Sequence, residues 1–143
     1  MKLGTRPLLA SAFCLIGGVA AGDEAWMSES DIRAALGGHN IAGHYRTGHA
    51  FTEAYRSDGS LEYKDDDRQS GGHWSVRNGA FCTIYSDDPS GGCFRVKRNG
   101  SNCFEFYFVS RTEEGTARPD EPSWTARGWI EGIKGTCVDG SNV

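Results

Sequence analysis

From Asn40 onward, apolar and polar side chains alternate with a period of two, the pattern of half-buried strands. Phe51, Glu53 and Tyr55 alternate with Ala50, Thr52 and Ala54. Ser57-Asp58-Gly59-Ser60 then reads as a turn, and Leu61 and Tyr63 open the next strand. His73 to Val76, Phe81 to Tyr85, Cys93 to Lys97 and Cys103 to Val109 continue a meander, and Ala126 to Ile130 is the expected closing strand. Between them, Asp65 to Gly72 and Arg111 to Ser123 read as loops, the second carrying Pro119 and Pro122. Only one stretch before Asn40 has a helical period. Ser28 and Asp31 have capping-box spacing, Ile32, Ala35 and Leu36 share a face, and Gly37-Gly38 supplies the stop. Two turns cannot stand alone, so this helix is expected to lie across one end of the sheet.

Two turns constrain the register. Asn78-Gly79 is a two-residue hairpin signal, because both central positions of a type I′ turn need positive φ. It sets Val76 opposite Phe81, Trp74 opposite Thr83, and Cys82 on the other face beside Ser75. A three-residue loop at Asn99-Gly100-Ser101 pairs Val96 with Phe104, Phe94 with Phe106, Arg95 with Glu105 and Lys97 with Cys103. Phe94, Val96, Phe104, Phe106 and Phe108 then face inward, while Cys93, Arg95, Lys97, Cys103 and Glu105 face outward. The expected fold is all-β: an antiparallel meander of about seven or eight strands closing into a small barrel, with a short N-terminal helix.

Composition agrees. Twenty glycines with many aromatics and few leucines suit short strands joined by tight turns. The first 22 residues read as an export signal: a basic head (Lys2, Arg6), an apolar run from Leu8 to Val19, and small residues at Val19-Ala20-Ala21-Gly22. That run is too short to span a bilayer, so the expectation is a periplasmic or secreted protein with no membrane span. Residues 23–143 form one domain of about 121 residues. Removing the signal leaves 13 basic against 19 acidic residues, a net charge of −6, and no basic run. Nucleic acid is therefore not an expected partner. Cys14 falls within the signal behind the bulky Phe13, which leaves Cys82, Cys93, Cys103 and Cys137 as two disulfides. Three connectivities exist; the shared outward face of Cys82, Cys93 and Cys103 favours Cys82–Cys93 and Cys103–Cys137.

Candidate chemistry is sparse. His39, His44 and His49 recur every five residues, with His73 further on, but five is an odd step on a strand and about 140° on a helix. They are expected to scatter, with no metal bound. Asp65-Asp66-Asp67 lacks the glycine and the bidentate Glu of an EF-hand loop and reads as a solvated turn. There is no Gly-x-Ser-x-Gly, His-Glu-x-x-His or free cysteine nucleophile. Glu53 and Glu105 are the imaginable acid/base pair, but Glu105 is expected to pair with Arg95, and no second carboxylate can be placed near Glu53. No catalytic residue and no cofactor are expected. The aromatics Phe51, Tyr55, Trp74, Phe81, Phe94, Phe104, Phe106, Phe108, Trp124 and Trp129 exceed what a small sandwich needs. In a barrel they either fill the interior or line a cavity.

Asp58-Gly59, Gly72-His73-Trp74-Ser75-Val76, Phe81-Cys82-Thr83 and Cys93-Phe94-Arg95-Val96 follow the order DG, G-x-W-x-V, x-C, C-x-x-V. Over Ile32 to Phe108 this resembles small exported bacterial proteins of unknown function thought to adopt a lipocalin-like (calycin) barrel. Lipocalins carry Gly-x-Trp near their first strand, whereas here it stands mid-chain. The resemblance supplies no catalytic residues. The expected function is non-catalytic binding of a small apolar ligand inside the barrel, with Trp74, Phe94, Phe104 and Phe106 as its contacts, or of a protein partner at the rim loops, in an inhibitor-like role. A small secreted enzyme and a periplasmic metal binder are the alternatives.

Overall fold

The computed structural model describes residues 26–87, 91–111 and 123–137. The expected signal segment, residues 1–22, and most of the expected 111–123 loop lie outside the described residues. Helix α1 spans Glu29–Leu36. Eight strands follow: β1 (His39–Tyr45), β2 (Ala50–Tyr55), β3 (Ser60–Lys64), β4 (Gln69–Arg77), β5 (Ala80–Tyr85), β6 (Gly92–Arg98), β7 (Phe104–Ser110) and β8 (Ala126–Ile130). Each pairs antiparallel with its sequence neighbour, and β8 returns to pair with β1, so the sheet closes into an up-and-down barrel. Among the described residues, no helix is long and apolar enough to cross a membrane.

The helix forms where its caps predict. Ser28 Oγ accepts from the Asp31 backbone N–H at 3.2 Å. The short Asp31 side chain accepts a hydrogen bond from the Ser28 hydroxyl at 2.7 Å, in place of the backbone bond that a longer Glu reaches for. Ile32, Ala35 and Leu36 are buried, and the helix seals the barrel end formed by the β4–β5 hairpin. Glu29 accepts from Gly79 N–H at 2.8 Å, and Arg33 donates to the Val76 carbonyl. Beneath it, Ile41, Tyr55, Leu61, Val76, Phe81, Val96 and Phe104 are packed nearly free of solvent.

At the β4–β5 turn, Asn78 and Gly79 both adopt positive φ (52° and 73°). Val76 faces Phe81, Trp74 faces Thr83, and Ser75 faces Cys82, as the two-residue loop requires. Both disulfides join the expected partners, Cys82–Cys93 and Cys103–Cys137.

Two expectations are corrected. Gln69 to Gly72 is not loop but the first part of β4, paired with Leu61 to Lys64. Its glycines allow close approach: a Cβ on Gly72 would lie 2.1 Å from the Ile84 carbonyl oxygen across the ladder. The β6–β7 register also differs by two residues. Val96 pairs with Phe106, Phe94 with Phe108, and Lys97 with Glu105. The connection runs from Asn99 to Cys103 because Asn102 is buried in it as a brace. Its Nδ2 donates to the carbonyls of Ile130, Ile133 and Lys134, and its Oδ1 accepts from Ile130 N–H at 2.9 Å. A slip of two leaves every side chain on its predicted face.

Candidate functional site

The two ends of the barrel differ. At the helix end the interior is solid; towards the other end, between the β1–β2 and β3–β4 turns, it opens into a cavity of about 260 Å³. One wall is phenylalanine: Phe81, Phe94, Phe106 and Phe108, joined by Phe51. Ring centroids of Phe81–Phe106, Phe94–Phe106 and Phe94–Phe108 lie 5.7–6.4 Å apart, mostly tilted or edge-on. The facing wall is polar and comes from β1, β2 and β5, with Tyr45, Glu53, Tyr55, Thr83 and Tyr85. Period-two alternation explains how they meet: Phe51, Glu53 and Tyr55 are successive inward positions of β2, and Phe81, Thr83 and Tyr85 are those of β5.

Glu53 is the central polar group. It is 6% exposed, and its carboxylate accepts hydrogen bonds from the Tyr55 and Tyr85 hydroxyls. Burial pushes its carboxyl above the ordinary range, more than the two phenols and the Arg68 charge pull it down. The same burial, with the Glu53 charge beside them, raises Tyr55 and Tyr85. Arg68 lies towards the opening, its guanidinium 4.7 Å and 5.1 Å from the ring centres of Tyr63 and Tyr85. Tyr63 donates to Asp65 at 2.7 Å, which together with further donors holds that carboxyl well below its usual range.

Of the four expected contacts, Phe94 and Phe106 line the cavity; Trp74 and Phe104 do not. Trp74 lies inward but at the helix end, half-buried against Tyr55 and Phe81, with its indole N–H on the Arg56 carbonyl at 2.8 Å. Phe104 is 1% exposed and fills the solid end. Phe81 and Phe108 line it too, as two of the rings expected to fill the barrel or line a cavity, whereas Glu53, Tyr85 and Arg68 are cavity residues that the sequence pattern does not single out. A charged residue between Phe51 and Tyr55 on an inward face was the available signal.

Glu105 is also corrected. It is buried on the outside of the wall and pairs with Arg127, not Arg95, through contacts of 2.8 Å and 2.9 Å. Arg95 now stands opposite Tyr107 because of the two-residue register difference. Asn99 and Tyr107 complete the carboxylate's shell, and the Arg127 guanidinium stacks 4.3 Å from the Trp124 ring centre. Burial alone would raise Glu105; the bonds from Asn99, Tyr107 and Arg127 outweigh it and hold the carboxyl below its ordinary value.

The histidines do not converge on one another. His44 packs outside against Trp124 and Trp129, His73 is exposed on β4, and His39 opens β1. His49 instead meets Asp65 at 3.2 Å, with Asp67 close by. Asp65 is an occupied acceptor: the backbone N–H groups of Asp67 and Arg68 both reach its Oδ1 at 2.8 Å, the pattern of a self-bonded turn.

Among the described residues lining the cavity, Glu53 is the single carboxylate. No protein-family model matches this chain, and no curated protein matches it either.

Proposed function

We propose that this is an exported, non-catalytic binding protein that takes a small, largely apolar ligand into the open half of its barrel. The observation that carries the reading is the cavity itself, about 260 Å³ with a continuous phenylalanine wall. Concave apolar sites with a few convergent polar groups are where small ligands bind. A single carboxylate among the described lining residues favours binding over the two-carboxylate enzyme alternative. Export is supported by the N-terminal segment and by two disulfides, which persist in oxidising compartments. Up-and-down closure of eight strands is also the lipocalin arrangement, which supports the calycin-like grouping.

The test is titration of the oxidised protein with an environment-sensitive hydrophobic dye. Saturable binding is expected, weakened in Phe106→Trp, where the larger ring fills the space. A dye that does not bind would overturn the ligand reading and move attention to the rim as a protein-binding surface.

A further inference from the structure

Resting on that reading, the geometry points to a narrower ligand class: we infer that the cavity selects a small organic cation, a one-ring amine in its ammonium form, seated with its charge at Glu53 and its ring against the phenylalanine wall. Three observations carry this.

The first is the pairing of a buried carboxylate with aromatic faces. Glu53 lines the cavity, and each of its oxygens already holds one phenol, Oε1 with Tyr85 and Oε2 with Tyr55. A carboxylate oxygen has a second acceptor direction, so the pair can still take an N–H donor. Phe51, Phe81 and Phe106 line the same cavity, and an aromatic face attracts a cation through its ring quadrupole. A buried carboxylate without a bonded cation is costly, and an arriving ammonium would supply one. Glu105 on the outer face shows the alternative, where the chain itself provides Arg127.

The second is that the tyrosine wall already holds a cation at the opening. Arg68 stacks on Tyr63 and Tyr85 there, which shows that these ring faces accept positive charge. Arg68 acts on Glu53 through its charge and lies 4.0 Å from Asp87.

The third is what the site disfavours. An anionic head would face the Glu53 carboxylate inside. Arg68 and Arg111 line the cavity as well; the described turns at that end set Asp65, Asp66, Asp67 and Asp87 against Arg46, Arg68 and Arg111, so the cations do not stand as a bare basic patch. The volume of about 260 Å³ suits one ring with a short arm.

The experiment compares three probes of one shape by calorimetry: 2-phenylethylammonium, neutral 2-phenylethanol and anionic phenylacetate. Wild-type protein should bind the ammonium at least tenfold more tightly than the alcohol, and the anion weakest. Glu53→Gln, which keeps the shape and one acceptor, should cut ammonium affinity tenfold or more and leave the alcohol within about twofold. The wild-type ranking needs no variant to fold. Equal affinity for ammonium and alcohol, or preference for the anion, overturns the cation inference while leaving apolar binding intact. Dye binding without binding of any of the three overturns it as well. Failure of the dye itself defeats the cavity reading beneath it.

Discussion

Glu53 and Glu105 are both buried, on opposite faces of the same barrel wall, and their surroundings differ in kind. Glu105 has its counter-charge: Arg127 holds its Oε1 through two nitrogens, Asn99 donates to the same oxygen, and Tyr107 donates to Oε2. Glu53 has two phenols and, among the described residues, no bonded cation. The outer carboxylate is part of a finished brace that joins β7 to β8. The inner one keeps bonding capacity that the fold leaves unused, and it faces a space. Burial alone does not mark a site; what separates these two is whether the chain supplies the counter-charge.

The contrast can be broken most forcefully from outside. Arg127→Met leaves Glu105 buried without its cation and should cost about 3–5 kcal/mol in urea denaturation. Adding Glu105→Leu to that variant should recover most of the loss, since an apolar pair replaces an ion pair at little cost. If the double variant stays as weak as the single, the brace works by something other than charge pairing. Replacing Cys103 and Cys137 together by alanine removes the second tie on this outer face. It should lower stability by about 3–4 kcal/mol, and unfolding with the other disulfide intact measures it.

Trp74→Ala tests the two ends of the interior against each other. The ring is half-buried, so a loss of about 2–3 kcal/mol is expected, below the ~3–5 kcal/mol for a fully buried indole. Dye affinity should not change, because Trp74 sits at the solid end. A weakened dye would extend the cavity to the helix.

The smallest effect is the most diagnostic for Glu53. Glu53→Gln should alter neutral-pH stability by no more than about 1 kcal/mol. Its signature is in the pH profile of the melting temperature. An unfolded glutamate ionises near pH ~4.3, while folded Glu53 keeps its proton to higher pH. The folded state then holds the extra proton, so stability falls as pH rises through that window and levels off above it. Glu105 works the other way: its contribution is present above the ordinary glutamate range and is lost as pH falls through its lowered folded value. The glutamine variant should remove the first slope and leave the second. Parallel profiles for variant and wild type would show that Glu53 ionises as freely in the fold as in the unfolded chain.

Much of the fold is legible in the chain, because period-two alternation and the Asn78-Gly79 turn are local signals. They place Phe94, Val96, Phe104, Phe106 and Phe108 inside, and Cys82, Cys93 and Cys103 outside, which favours one of the three cysteine pairings without excluding the others. Faces are blind to an even slip, however. The β6–β7 register depends on Asn102 finding carbonyls around Ile130 to Lys134, contacts about thirty residues away that no local pattern encodes. The candidate site suffers from the same limit. Phe94 and Phe106 are legible as inward rings, but alternation gives no depth along the barrel axis, so Trp74 and Phe104 could not be told from cavity residues. The meeting of Glu53 with Tyr85 joins β2 to β5 across the interior and needs the closed barrel to exist.

That closure has a consequence for how the protein is made. Ile41 pairs with Ile130, so the first strand waits for the last, and the ring cannot shut until nearly the whole described chain has emerged. Pairings between such distant segments are slow to form. Until then the growing ribbon has two raw margins, the free sides of β1 and of its newest strand, and its phenylalanines are wet. A polypeptide stopped after β7 would keep both margins permanently and should clump, however well its hairpins had formed.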